Sequence, residues 1–250
     1  MEITVTEDYD SLCKYTADRV IERLQNKPSS LIVLPTGNTP LGLFHALVEQ
    51  NQIGNVDFSQ ATLVELDEYY GINLDDRRNL FNWLDQEFIS RLRTPFKSIH
   101  RFDSATVLPD DEAQRMEGEA LNCGGVDILV LGLGLNGHLG FNEPSHVRQS
   151  KTRLMDLSPA SILSSARYWG GEDLVPKKGF TLGLDVLATA RQTYLMVSGE
   201  EKAPILAEMF LHRADPRMPA SYLFEFPQAA VFCDRPASKQ IEHLKPIYIE

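Results

Sequence analysis

The segment Val126-Asp-Ile-Leu-Val-Leu-Gly-Leu-Gly-Leu-Asn136-Gly-His138-Leu-Gly-Phe-Asn-Glu143-Pro144 holds the densest set of reactive side chains in the chain. An apolar run passes into a glycine-rich loop carrying a lone histidine, His138, with Asn136 before it and Glu143 after it. Histidine exchanges a proton near neutral pH, and a carboxylate at its other ring nitrogen fixes tautomer and orientation. Glycines offer little bulk against which an imidazole can be buried, which favours a working His138 over a packed one. The glycines at 132–137 mimic a dinucleotide fingerprint, but Phe141-Asn142-Glu143-Pro144 breaks the helix on which a pyrophosphate would sit. No nicotinamide or flavin cofactor is expected, and no metal site.

Two further clusters follow apolar runs. Asp67-Glu68-Tyr69-Tyr70-Gly71 places adjacent carboxylates beside two aromatic rings. A carboxylate in a partly desolvated cleft takes a proton from a carbon acid, which makes Asp67 a candidate base. The plainer alternative is a helix N-cap at Asp67 followed by an exposed Glu68. Pro35-Thr36-Gly37-Asn38-Thr39-Pro40 is a candidate anion cradle: glycine permits close backbone approach, Thr36 and Thr39 offer hydroxyls, and the helix that follows presents unpaired N–H groups. It is not a Walker A loop, since no Gly-Lys-Ser/Thr follows. Here the plainer alternative is a turn in which Thr39 caps the helix.

The elements that position these clusters show in the hydropathy pattern. Short apolar runs at residues 31–34, 61–66, 126–131, 194–197 and 229–232 read as strands covered on both faces. Helical spacing occupies the Cys13, Ala17, Val20, Ile21, Leu24 stripe and residues 41–48, 80–92, 112–121 and 202–210. Strands separated by helices need crossovers, so the expected fold is α/β: a Rossmann-like, doubly wound, mostly parallel sheet with helices on both faces. Ligands in such a sheet bind beyond the carboxyl ends of the strands, where all three clusters fall. No repeat or Ser/Gly linker divides the chain, so residues 1–250 are read as one domain.

Composition narrows the partners. The 250 residues are 43% hydrophobic, enough for a sizeable core, and carry 24 Lys+Arg against 35 Asp+Glu, a net charge of −11. That field repels nucleic acid and anionic membranes. Three cysteines (Cys13, Cys123, Cys233) without a CxxC pair exclude a disulfide framework and a zinc knuckle. No apolar run reaches the roughly 18 residues of a membrane span, and Glu2, Glu7, Asp8 and Asp10 stand where a secretory signal would be basic and apolar. A cytoplasmic protein is expected.

Taken together, Leu34-Pro-Thr-Gly-Asn-Thr-Pro40, Leu66-Asp-Glu-Tyr69 and Gly132-Leu-Gly-Leu-Asn-Gly-His-Leu-Gly-Phe-Asn-Glu-Pro144 closely resemble the glucosamine-6-phosphate deaminase/isomerase family. The likeness extends through Ser165-Ala-Arg-Tyr168, residues 176–183, Ser198-Gly-Glu-Glu-Lys-Ala203 and Pro219-Ala-Ser221. It implies a cofactor-free conversion of an amino-sugar phosphate and water to fructose 6-phosphate and ammonia. By matching motif, Asp67 is implied to move a proton between C2 and C1, and His138 to open the sugar ring, oriented by Glu143 and Asn136. Many members carry Asp where Asn136 stands; an amide cannot relay charge, so the His138–Glu143 pair is expected to matter more here. Thr36, Gly37, Asn38, Thr39, Arg167 and Lys202 are implied to hold the phosphate.

Departures from the family pattern shape three more expectations. His146 and Met155 stand where allosteric members carry a serine and a lysine, and the chain ends at Glu250. A non-allosteric monomer or low-order homo-oligomer is expected, although Arg153 matches one basic position. Residues 73–80 depart from the usual deaminase pattern, and residues 179–184 look closer to galactosamine-6-phosphate deaminase/isomerases, leaving the sugar epimer open. The alternatives are a 6-phosphogluconolactonase, against which Phe141-Asn142-Glu143-Pro144 speaks, and a sugar-phosphate sensor domain, which needs no Asp67, His138 or Glu143.

Overall fold

A computed structural model describes residues 1–122, 124–244 and 247–249. Cys123 and Glu250 lie outside the described residues; Cys13 and Cys233 are buried free thiols. The elements run β1 (Glu2–Thr6), α1 (Tyr9–Asn26), β2 (Leu31–Leu34), α2 (Leu41–Gln52), β3 (Thr62–Glu65), β4 (Asp67–Tyr69), α3 (Leu80–Glu87), β5 (Ser98–His100), α4 (Pro109–Asn122), β6 (Ile128–Gly132), β7 (Arg153–Asp156), α5 (Pro159–Trp169), β8 (Lys178–Thr181), α6 (Leu184–Leu187), β9 (Gln192–Val197), α7 (Ala203–Leu211), β10 (Ala229–Asp234), α8 (Arg235–Ser238) and β11 (Ile247–Ile249).

Eight strands form one sheet in the order β11-β1-β10-β9-β6-β2-β3-β5, and every pair in it is parallel. Alternation along the strands feeds two cores. Leu31, Val33, Leu129 and Leu131 pack with Met116 of α4, Leu187 of α6 and Leu206 of α7. Their neighbours Ile32, Leu34, Ile128 and Val130 pack with Leu12 and Leu24 of α1 and Phe44 and Leu47 of α2. This two-sided burial is why the strands read as unbroken apolar runs. The α/β fold with helices on both faces is as expected.

The structure adds elements that periodicity did not announce. In β1 the buried Thr4 and Thr6 interrupt the apolar pattern. A second sheet, β4-β8-β7, is antiparallel and built from strands of three or four residues, too short to carry a period. Helix α5 is announced by its ends instead: Ser158 accepts the Ser161 N–H, Pro159 opens the first turn, and Gly170 closes it at φ 83°. The expected helix at 80–92 splits, α3 giving way to a 3-10 turn at Ile89–Arg91. The one expected at 202–210 begins at Ala203, with Lys202 as its N-cap.

From β2 the chain builds outward through β3 to β5; it then returns to β6, beside β2, and builds the other way through β9 and β10. The order therefore reverses between β2 and β6, where loops diverge and leave a crevice.

Candidate active site

A cavity of about 460 Å³ lies at this reversal, lined by the loops after β2, β3, β6 and β9 and by α5. Asp67 and His138 open into it together, with Thr36, Gly37, Asn38, Thr39 and Lys202.

The loop after β2 differs from expectation in its donors. Thr39 does not cap α2; the N-cap is Pro40 and makes no side-chain bond. The first turn of α2 is occupied, since Leu41 N–H donates to Asn38 O (3.3 Å) and Gly42 N–H to the Tyr9 hydroxyl (2.8 Å). Tyr9 Oη in turn lies 3.1 Å from the carbonyl oxygens of Asn38 and Thr39, bracing the loop against α1. Among the described residues nothing accepts from the N–H groups of Gly37, Asn38 or Thr39. Gly37 takes φ 103°, a left-handed conformation that other residues rarely adopt. The cradle is thus the loop backbone itself, with the positive end of the α2 dipole behind it. Lys202 supplies a cation: its Nζ donates to Leu133 O (2.7 Å), leaving two protons for a ligand. Burial pulls its pKa below the usual lysine range, with Glu201 opposing.

Around His138 the bonds form a chain. Asn136 Nδ2 donates to Glu143 Oε2 (2.9 Å), and Asn136 Oδ1 lies 2.7 Å from His138 Nδ1. A carboxylate only accepts, so the amide NH₂ must face Glu143; the amide oxygen must then accept from His138, placing the imidazole proton on Nδ1. Nε2, with no protein partner among the described residues, is left as an acceptor. Ser161 Oγ stands 3.3 Å from Nδ1, and Ser158 N–H donates to Glu143 Oε1 at 3.4 Å. Glu143 itself lies 3.6 Å from Nδ1, so Asn136 is the nearer contact, where a direct His138–Glu143 pair had been expected to dominate. Burial alone pushes the Glu143 carboxyl up, but the bond and charge of His138, with Ser161 and Asn136, outweigh it and bring it down to about 2. The imidazole ring lies against Gly134, where any Cβ would collide with it.

Asp67 stands in the opposite situation. It begins β4 rather than ending a parallel strand, is 7% exposed, and makes no hydrogen bond to another described residue. Burial, then the neighbouring Glu68 charge, push it up to about 8. Glu68 is fully buried, not exposed, and accepts from the N–H groups of Tyr69 (2.6 Å), Leu80 (3.0 Å) and Phe81 (3.1 Å), holding the start of α3. Neither role suggested by the plainer helix-cap alternative is seen.

Asn136 and Glu143 stand behind His138 rather than in the cavity wall. Arg167 is exposed on α5 and absent from the wall, although Ser164, Ser165 and Tyr168 beside it are present. Local motif reading missed Ser158 and Ser161; the Ser158-Pro159 helix start was their available signal. Glu65, buried beside Asp67 and Glu68, carries no local signal, because nothing near it in sequence sets it apart from a strand residue. Among the described residues no group of three or more His, Cys, Asp or Glu is placed to hold a metal ion.

Residues 5–232 match the family described as glucosamine-6-phosphate isomerases/6-phosphogluconolactonase. Glucosamine-6-phosphate deaminase of Alkaliphilus metalliredigens is 32% identical over 249 residues, covering 97% of this chain and all of the relative. That of Thermoanaerobacter pseudethanolicus is 30% identical, covering 100% and 99%. A solved monomeric glucosamine-6-phosphate deaminase superposes with TM-score 0.90 at 29% identity, over 96% of this chain and 100% of that one. The 6-phosphogluconolactonase of Thermotoga maritima shares the fold, with TM-score 0.72 at 20% identity over 93% and 100%. The chain belongs to the glucosamine-6-phosphate isomerase/6-phosphogluconolactonase family.

Proposed function

We propose that the protein converts glucosamine 6-phosphate and water to fructose 6-phosphate and ammonia. The observation that carries this reading is a single cavity into which an unpartnered carboxylate, Asp67, and the free Nε2 of His138 both open, next to a loop of unpaired N–H groups. The loop and Lys202 hold the phosphate, and this remote binding energy sets the sugar against the reacting groups. His138 Nε2 takes the anomeric hydroxyl proton and returns it to O5, breaking the C1–O5 bond. Asp67 then removes the C2 proton and delivers it to C1. The enolamine between these steps becomes a C2 imine, and water adds there to release ammonia.

The full-length relatives at 30–32% identity are named deaminases, whereas the Thermotoga maritima lactonase is similar in fold only. Glucosamine 6-phosphate, galactosamine 6-phosphate and 6-phosphogluconolactone assayed side by side test the reading, with ammonia release from the first expected to be fastest. Faster release from the second would reassign the epimer. Lactone hydrolysis without ammonia from either amino sugar would make the protein a lactonase, and binding without turnover a sensor. We read the assembly as a monomer or low-order homo-oligomer with a hyperbolic substrate curve. A sigmoidal curve abolished by N-acetylglucosamine 6-phosphate would contradict that. No described helix is long and apolar enough to cross a membrane.

A further inference from the structure

Behind Asp67 lie two carboxyl groups that the proposed chemistry does not use. Glu65 is 2% exposed and Glu68 is 0% exposed. Glu68 is held by three backbone N–H groups, whereas Glu65 receives one, from Phe102 N–H to Oε2 (2.8 Å). Glu65 Oε1, fully buried, has no donor. Burial pushes both carboxyls up, and the side-chain hydrogen bond between them raises Glu65 further while lowering Glu68. Two carboxylate oxygens cannot bond without a proton between them, and a buried ionised Glu65 lacking a donor would be costly. The N–H groups of Leu80 and Phe81 at the start of α3, with that of Tyr69 in β4, stabilise the anion at Glu68, so the proton belongs on Glu65.

We infer that Glu65 is a neutral carboxylic acid that donates its proton to the Glu68 carboxylate, the two carrying one negative charge and acting as positioning residues behind Asp67. The hydrogen bond holds Glu68 in place beside Asp67, and its charge opposes ionisation of Asp67, in the direction that makes Asp67 a stronger base. Other titratable groups surround the trio. Tyr69 of the same strand and Tyr168 of α5 feel the Glu68 charge, and the Asp76–Arg78 pair ahead of α3 acts on Tyr168. The Glu112–Arg115 pair of α4 holds the backbone of Arg101 and Asp103, and His138 shares the cavity. Glu68 is the neighbour whose charge raises Asp67, and Asp67 in turn acts on Glu65 and Tyr69.

This inference rests on the deaminase reading only for the role given to Asp67; the proton on Glu65 does not depend on it. Carbon-13 NMR of the wild-type protein, labelled at glutamate carboxyls, should show one carboxyl that stays protonated well above the ordinary range of about 4.3 and is absent from Glu65→Gln. Glutamine keeps both bonds, its amide donating to Glu68 and its oxygen accepting from Phe102. Glu65→Leu should therefore lower the melting temperature and move the acid limb of the kcat/KM profile, and Glu65→Gln should restore both. Glu68→Gln should displace that limb to lower pH by about one unit. A Glu65 carboxyl titrating in the ordinary range, or a Glu65→Gln limb displaced as far as that of Glu68→Gln, overturns the inference. If Glu68→Gln does not fold, the NMR titration and the Glu65 pair still decide. A wild-type protein without ammonia release sinks the deaminase reading and leaves the NMR result to judge the shared proton.

Discussion

Asp67, in the cavity wall, and Glu143, behind His138, are carboxylates of similar burial, yet their surroundings drive them apart. Asp67 has no hydrogen-bond partner and a negative neighbour, and is raised to about 8. Glu143 has Asn136, Ser158 and His138 around it and is lowered to about 2. Burial acts in the same direction on both; partners decide the outcome. The one kept short of donors is suited to removing a proton from carbon, and the other to holding an imidazole still.

The sharpest way to separate the two is to neutralise each. Asp67→Asn and His138→Gln should each cut kcat by roughly two to four powers of ten, the range of general acid–base groups. Ammonia release within twofold of wild type in either variant would refute its role. The stability effects should then run in opposite directions. A carboxyl raised on folding contributes stability that is present below its unfolded value of 3.8 and lost as pH rises through about 8. Asp67→Asn should therefore be more stable than wild type at alkaline pH, by up to about 6 kcal/mol. Glu143 contributes above 4.5, and its contribution is lost as pH falls through about 2, so Glu143→Gln should be less stable at neutral pH, by up to about 3 kcal/mol. Thermal melts across pH decide both signs.

The same contrast sets the rate profile. With Asp67 ionising near 8, kcat/KM should climb about tenfold per pH unit below that value. A flat profile across neutral pH would mean that Asp67 is already ionised. Smaller effects belong to the phosphate end. Lys202→Ala should raise KM by about tenfold with kcat little changed, as loss of one charged hydrogen bond predicts, and a pure kcat effect would remove Lys202 from the phosphate site. Tyr9→Phe should raise KM only a few-fold, because the hydroxyl braces the loop without touching the substrate. An unchanged KM would show that the Asn38–Thr39 backbone holds its shape alone.

Much of the site was readable because its residues are close together in sequence. Asn136, His138 and Glu143 share one loop, and Thr36 to Thr39 follow a strand whose apolar run is unmistakable. Legibility failed where partners come from afar. Ser161 reaches His138 from a helix with no long apolar period, Tyr9 reaches the cradle from α1, and Glu68 bonds to the start of α3, 12 residues on. Arg167, set apart in the sequence by the matching motif alone, lies exposed on α5 beside residues of the cavity wall.

Short apolar runs alternating with helical stripes were enough to determine a parallel sheet covered on both faces, since hydrophobic periodicity is a local property of the chain. They also determined that the reactive clusters would follow strands. Only the tertiary structure decided which carboxylate is left without donors, that Asn136 stands between His138 and Glu143, and that Glu65 lies against Glu68. Those outcomes depend on burial and on N–H groups supplied by residues such as Phe102 and Leu80, whose approach is fixed by packing rather than by spacing along the chain.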